Sequence, residues 1–321
     1  MANFNGGFIG VTNTTSKGIP GRRTSFTSSN PSFTLLTTTT EFEALIVGGG
    51  GHYGAYAGAS GGGGGVLYYG AATGATDPGG LGSTKSANGG NITAPPSART
   101  LAVTIGATGA SYPTPPSSPQ YGRGGQGGAS SLTFNGTPYS ATGGGGGAGR
   151  RQPGNHVEAA QPGGGSGGGA TQPPGGNLGA SGIPGQGNPG GDLFTPDSGI
   201  TAYTGGGGGA TEPGYPSSGG PRGNNFGGMG GAGAGYDIAD GSTLVYYAGA
   251  GTSEGFPSNP SSNPVKNSFG RSGPSTPANS GNPQKSGIVI INEPETPFRG
   301  NGMFDLRSVF LKIKNETWGA A

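Results

Sequence analysis

Five glycine tracts constrain this chain more than any other feature: Gly48 to Gly51, Gly61 to Gly65, Gly143 to Gly147, Gly163 to Gly169 with Ser166 inside it, and Gly205 to Gly209. Glycine loses more backbone freedom on ordering than any other residue, on a scale of about 1–2 kcal/mol per residue fixed. The tracts have no side chains to bury, so only dense mutual contact offsets that cost. Their placement is regular. The first follows a β-type run, the second precedes one and the third follows another. An extended helix of the polyproline II type, with three residues per turn, makes no internal hydrogen bonds. In glycine its N–H and C=O groups point outward unobstructed, so several such helices side by side can bond one another. Proline among the tracts, as in Gln172-Pro173-Pro174-Gly175-Gly176, prefers the same φ and narrows the unfolded ensemble. The alternative reading is flexible linkers, but a sheet interrupted by linkers everywhere would never close.

Composition sharpens the constraint. Glycine (79) and proline (28) make up about a third of the 321 residues, against about 12% in average usage. Apolar residues are 29% and charged residues 9%, where a typical domain carries about 45–50% and about 25%. An ordinary enzyme core does not fit these numbers. Disorder driven by charge does not fit either, because 16 basic and 14 acidic residues leave a formal +2. There is no Gly-X-Y repeat, which excludes collagen. With no cysteine, disulfides and thiolate metal sites are excluded too.

Short β-type segments supply the expected core. Phe33-Thr34-Leu35-Leu36 and Glu41 to Val47 read as a strand pair. Val66 to Tyr69, Thr100 to Ile105, Ser131 to Phe134, Tyr139 to Thr142, Ser242 to Tyr247 and Gly287 to Asn292 read as further strands. Asn135-Gly136 is a turn pair that tolerates positive φ, so the flanking segments should form a hairpin. An apolar period of 3.6 first occurs after residue 300, with Leu306, Val309, Phe310 and Ile313 on one stripe, Asp305 as N-cap and Trp318 beyond. The reading is mainly β: a sandwich-like strand framework with packed polyglycine helices and a short C-terminal α-helix. Residues 1–32 form an N-terminal arm, 33–292 the glycine-rich β domain, and 293–321 a linker with the amphipathic helix.

The ordered series of Ala44-Leu45-Ile46-Val47 into Gly48 to Gly51, Gly61 to Gly65 into Val66-Leu67-Tyr68-Tyr69-Gly70, a Thr-Val-Thr-Ile-Gly strand and Ser286 to Ile291 resembles the glycine-rich virion proteins of tailed bacteriophages. The resemblance covers roughly residues 33 to 292. The closing Phe304-Asp305-Leu306-Arg307 with Val309 and Trp318 is similar to a short tail that ends many phage fibre proteins, where a Trp often replaces Phe304. More distantly, the tracts look like those of T-even-type tail-fibre tip adhesins and of the glycine-rich domain in anaplastic lymphoma kinase. The resemblance implies a lattice of polyglycine helices and a structural or surface-binding role in the virion.

Catalytic motifs are present by pattern but lack context. Gly228-Met229-Gly230-Gly231-Ala232-Gly233 matches the dinucleotide fingerprint with no strand before it or helix after it. Gly58 to Gly62 and Gly164 to Gly168 match a nucleophile elbow without the strand-to-helix turn and His partner that it needs. His52 and His156 have no ligand cluster around them. The expectation is a protein without catalysis, cofactor or metal. Scattered Lys and Arg argue against nucleic acid, the short apolar runs argue against membrane insertion, and Met1 to Gly7 has no signal-peptide pattern.

Rigid aromatics among Ser, Gly and Asn make paratope-like surfaces. Tyr53, Tyr56, Tyr112, Tyr121, Tyr203, Tyr215 and Phe226 are therefore candidate contacts to a host-surface glycan or outer-membrane protein. Their alternative role is to cap the ends of the lattice. Phe8 and Ile9, with Leu306, Val309, Phe310, Ile313 and Trp318, are candidate attachments to other virion proteins. The function expected is a tail fibre or fibre-tip protein, with a purely structural neck or capsid appendage as the alternative. A homo-oligomer, most simply a trimer, suits a fibre.

Overall fold

The computed structural model of the chain describes residues 20–54, 58–70, 88–111, 122–150, 157–158, 165–170, 178–193, 204–219, 225–251, 270 and 284–295. It divides into two units, Arg23–Glu293 and one made of Met1–Arg22 with Pro294–Ala321. Of the second, only Pro20 to Arg22, Pro294 and Glu295 are described. The structure is mainly β, with several antiparallel sheets and, among the described residues, no helix. The strands are β1 (Arg22–Phe26), β2 (Asn30–Thr34), β3 (Glu41–Val47), β4 (Val66–Tyr69), β5 (Ile92–Thr93), β6 (Thr100–Thr104), β7 (Ser130–Phe134) and β8 (Thr137–Ala141). There follow β9 (Gly149–Arg150), β10 (Val157–Glu158), β11 (Ser218–Gly219), β12 (Asn225–Phe226), β13 (Ala234–Tyr236), β14 (Val245–Tyr247) and β15 (Ile288–Glu293).

Two sheets organise the unit. The first has the order β1-β15-β3-β4, with β5 also pairing β3, and the second runs β2-β6-β7-β8. The near-continuous apolar runs of β3 and β15 follow from burial on both faces. Phe42, Ala44 and Ile46 of β3, with Val289 and Ile291 of β15, join Leu101, Val103, Leu132, Phe134 and Ala141 of the second sheet in one core. Leu45 and Val47, with Ile288 and Ile290, face the other way onto Tyr236, Ala234 and Tyr247 of the β13–β14 ribbon. The period of two assigns alternate residues of one strand to two different cores. The second sheet shows the single-sided version: β6 and β7 alternate buried and more exposed positions.

One sequence expectation is corrected. The Phe33-Thr34 and Glu41–Val47 segments both form strands, but β2 and β3 lie in different sheets and do not pair. The intervening turn is held from afar. Arg99 donates to the carbonyls of Leu36 and Thr39, while the fully buried Glu293 accepts the Leu36 amide at 2.7 Å and the Thr39 hydroxyl at 2.8 Å. Buried polar groups without partners cost about 1–3 kcal/mol each, so this turn depends on residues far away in sequence. The predicted hairpin is present, as β7 and β8 pair from Ser130↔Ala141 to Phe134↔Thr137. Asn135 (φ 47°) and Gly136 (φ 76°) both take the positive φ that a two-residue turn needs. β1 and the start of β2 fall within the stretch expected as an arm.

The glycine tracts bond to one another through their backbones with a step of three. Gly48, Gly51 and Gly54 donate to the carbonyls of Gly65, Gly62 and Ala59, each at 3.0 Å. The next residues, Gly49 and His52, turn to Gly128 and Gly125 at 2.9 Å, and Gly50 turns to Lys285 at 3.1 Å. Ala59, Gly62 and Gly65 donate onward to Ala148, Gly145 and Thr142 at 2.9, 2.8 and 2.7 Å. Gly144 and Gly147 return to Gly49 and His52 at 2.8 and 2.9 Å. The strands of this network lie too close for side chains. A Cβ added at Gly127 would meet the Gly49 carbonyl, and one at Gly62 the carbonyls of Ser166 and Gly167, all closer than 3.0 Å, a separation that real Cβ atoms essentially never show.

Candidate binding surfaces

The sheets have two dissimilar ends. At one end β3 and β8 run into Gly48 and Thr142, while β4, β7 and β15 are entered from Gly65, Ala129 and Gly287. The antiparallel registers Val47↔Val66, Val47↔Ile288 and Ser130↔Ala141 bring these junctions together. All the tract residues named above therefore leave the sheets from one end. At the distal end of the tracts, Gly54, Ala59, Ala148, Gly169, Ala170, Gly191 and Gly205 are linked by the N–H···O=C hydrogen bonds Gly54→Ala59, Ala59→Ala148, Ala148→Gly169, Ala170→Gly191 and Gly205→Ala170, and Gly228 donates to the Thr204 carbonyl.

The aromatic residues singled out in the sequence divide as follows. Tyr53 lies in the distal region, half-buried, with its ring stacked on His52 at 4.2 Å and 28°. Tyr215 is 49% exposed, and Leu178, at 72%, is the other exposed large apolar side chain among the described residues. Asp192 lies between the segments that carry them: its Oδ1 accepts the Gly179 amide at 2.8 Å, and its carbonyl accepts the Ser217 amide at 3.2 Å. Phe226 is in β12, opposite Ser218. Tyr56, Tyr112, Tyr121 and Tyr203 lie outside the described residues. So do Phe8, Ile9, Leu306, Val309, Phe310, Ile313 and Trp318 with their expected helix.

The described backbone of the catalytic look-alike motifs is absorbed into the hydrogen-bond network, and of the two motif serines Ser166 keeps a buried hydroxyl without a hydrogen-bond partner. Ser60 is fully buried; its hydroxyl donates to the Gly251 carbonyl and accepts the Gly207 amide, both at 2.6 Å. Gly228 and Gly231 donate to Thr204 and Gly207 at 2.8 and 2.9 Å. His52 is 8% exposed and donates from Nδ1 to the Tyr53 carbonyl at 2.7 Å. Burial lowers its pKa, and the Tyr53 bond opposes that shift. Among the described residues no group of three or more His, Asp or Glu could hold a metal ion. Among the described residues there is no helix long and apolar enough to cross a membrane.

At the opposite end of the sheets is a surface that the sequence did not announce. A groove of about 370 Å³ is lined by Tyr69, Asn91, Thr93, Phe134, Asn135, Thr137 and Tyr139, with Gly90 and Ile92. Tyr69 and Tyr139 meet edge to face at 4.9 Å and 74°. Gly89 packs its backbone on Tyr69, close enough that an added Cβ would stand 3.1 Å from the ring. The floor is fixed by Phe134, which meets Phe42 at 5.3 Å and 87°. Sequence reading placed Tyr69 and Tyr139 in strands and gave neither a site. The available signal was positional, since both aromatics stand beside the Asn135-Gly136 hairpin or at a strand terminus.

No protein-family model matches the sequence, and no curated protein matches it.

Proposed function

We propose that the protein is a structural component of a tailed-bacteriophage particle, most simply a tail fibre or fibre-tip protein that meets the host surface. In this reading the two main sheets form a sandwich-like framework, and the glycine tracts are polyproline II-type helices packed beside it. The observation that carries it is the step of three. When residues 48, 51 and 54 donate to one neighbour, 49 and 52 to a second and 50 to a third, a helix of three residues per turn is the simplest geometry. A rod of this kind is stiff without a side-chain core, which suits a projecting part of a particle. The ordered series of strands and tracts that resembles phage virion proteins supports the same reading.

The distal end of the tracts is the natural contact face. The described residues that flank the aromatic-bearing segments, Gly54 and Gly58, Ala170, Thr204 and Gly228, gather there, and Tyr53 is among them. Host-surface glycan or outer-membrane protein is the partner class, read by rigid aromatics among small polar residues. The terminal segments, with Phe8, Ile9, Leu306, Val309, Phe310, Ile313 and Trp318, attach the protein to other virion proteins or to further copies in a trimer. The protein is non-enzymatic in this reading, works without a cofactor and resides in the virion.

Immunogold labelling of tailed particles with antibody raised against residues 23–293 tests the proposal. Label at fibre tips is expected. Label at the neck or on the capsid would instead favour a structural appendage, and tailed particles left unlabelled would overturn the virion assignment. Deleting residues 303–321 should leave the β unit folded but lower its incorporation into particles.

A further inference from the structure

We infer that the groove between the β7–β8 hairpin and the β4 and β5 strands is a binding site for a neutral saccharide of one or two hexose rings. The site lies at the end of the sheets remote from the glycine tracts, so it is separate from the distal aromatic face.

The walls are prebuilt. Tyr69 is half-buried between the Gly89 backbone on one side and the Tyr139 ring on another, and Phe134 and Ile92 are buried beneath. β5 is pinned to β3 through the Phe42↔Ile92 pair. Gly70 donates to the Gly89 carbonyl at 3.0 Å, which closes the rim beside Tyr69. The mouth carries exposed Thr93, Asn135 and Thr137, and Asn135 is held by the positive-φ turn. Binding here requires little reorganisation, so little affinity is lost in ordering the site.

The lining chemistry selects the ligand class. Among the described residues no Lys, Arg, His, Asp or Glu lines the groove, so the described walls offer an anionic ligand no counter-charge and a cationic one no carboxylate. Aromatic rings beside hydroxyls and amides match a ligand with C–H faces and a dense fringe of hydroxyls, because each face finds its complement: rings for C–H, Asn and Thr side chains for O–H. The Tyr69 phenol is neutral and able to donate at ordinary pH, and burial shifts its pKa further upward. Asn91 adds a further reason. It lines the groove, its side-chain oxygen is buried with no hydrogen-bond partner, and a ligand hydroxyl would supply one. The volume, at the lower end of the roughly 300–1,000 Å³ of small-molecule sites, suits one or two rings and not a long polymer. An aliphatic chain would leave the amides and hydroxyls unpaired.

The test is chemical-shift titration of the full-length protein, isotopically labelled, with glucose, galactose and lactose, and with glucuronate as the charged control. Millimolar binding of at least one neutral sugar is expected, with shifts confined to amides of Asn91, Thr93, Asn135 and Thr137. Tyr69→Ala should weaken binding at least tenfold. Thr137→Ala, at an exposed position, should weaken it severalfold with unfolding midpoint unchanged, which keeps the test valid if the tyrosine variant folds poorly. Thr104→Ala, at an exposed position of β6 far from the groove, should leave it unaltered. No shift with any neutral sugar, stronger binding of glucuronate, or sugar binding indifferent to both groove substitutions would overturn the inference. The virion assignment is read separately, from particle labelling, so either can fail alone.

Discussion

Gln186 accepts the backbone amide of Thr142 on its side-chain Oε1 at 2.8 Å. Its own backbone carbonyl accepts the Val66 amide at 3.0 Å. Thr142 immediately follows β8 and Val66 begins β4, the last strands in the order of their respective sheets. One residue thus occupies hydrogen-bonding positions at the margins of both sheets, where unpaired strand edges would otherwise invite association.

Replacing that side chain tests the link. Gln186→Ala leaves the Thr142 amide without its acceptor and should cost about 1–3 kcal/mol. Gln186→Glu keeps an acceptor in place and should cost less. Chemical denaturation of both variants measures the difference, and equal losses would mean that the contact carries little.

Three glycines should respond in three different ways to alanine. Gly127→Ala drives a methyl into the Gly49 carbonyl, which is backbone and cannot swing aside, so the loss should reach or exceed the ~1–3 kcal/mol typical of overpacked cores. Gly136→Ala meets no atom within 4 Å, yet its φ of +76° strains any L side chain, and a loss of about 1 kcal/mol is expected. Gly90→Ala, which also meets nothing within 4 Å, should be nearly silent. Thermal unfolding of the three variants tests this order.

Amide exchange reads the network directly. Gly144, Gly145 and Gly147 each donate to a backbone carbonyl, as do Gly205, Gly206, Gly208 and Gly209, and Gly207 donates to the Ser60 hydroxyl. All eight should be protected to a degree comparable with β3 and β15. Exchange at free-peptide rates in the folded protein would exclude an ordered network.

His52 should make stability fall in mild acid. Its pKa in the folded protein is lowered, chiefly by burial, whereas in the unfolded chain it stays near the ordinary value of about 6.5. As the pH drops through that value the unfolded chain takes up the proton first, so stability declines until the folded value is passed. Above the ordinary value both states are neutral and the term vanishes. His52→Gln should lose less stability than the parent between about pH 7 and pH 5, where histidine titrates, measured by denaturant midpoint. Parallel curves for the two proteins would show that His52 titrates alike in both states.

The sequence carried some of this architecture openly. Val66 to Tyr69, Thr100 to Thr104 and Ile288 to Ile291 could be read as strands because runs rich in β-branched and aromatic residues are bounded by glycine, Gly65 and Gly70 around the first, Gly106 just beyond the second and Gly287 before the third. Asn135-Gly136 announced its hairpin through the φ values that those residues tolerate. Partnership was less legible. β2 and β3 are separated by a turn that Arg99 and Glu293 hold, and nothing local to Leu36 or Thr39 signals residues so far away. β9 to β12 are two residues each, too short for an alternating pattern to mark them in the sequence. The groove escaped notice because its lining comes from three separate stretches, around Tyr69, Asn91 and Phe134, and composition within each is unremarkable.

The step of three also restricts how a chain of this kind can change length. Inserting one residue within Gly143 to Gly147 would rotate every later amide of the tract to a different neighbour, so Gly145 would no longer meet Ser166 nor Ala148 meet Gly169. Adding or removing three residues at once restores the phase and merely lengthens or shortens the tract by one repeat. Descendants of such a gene should therefore tolerate nine-nucleotide insertions and deletions inside the tracts far better than single codons, while segments beyond the tract ends remain free to drift in any increment.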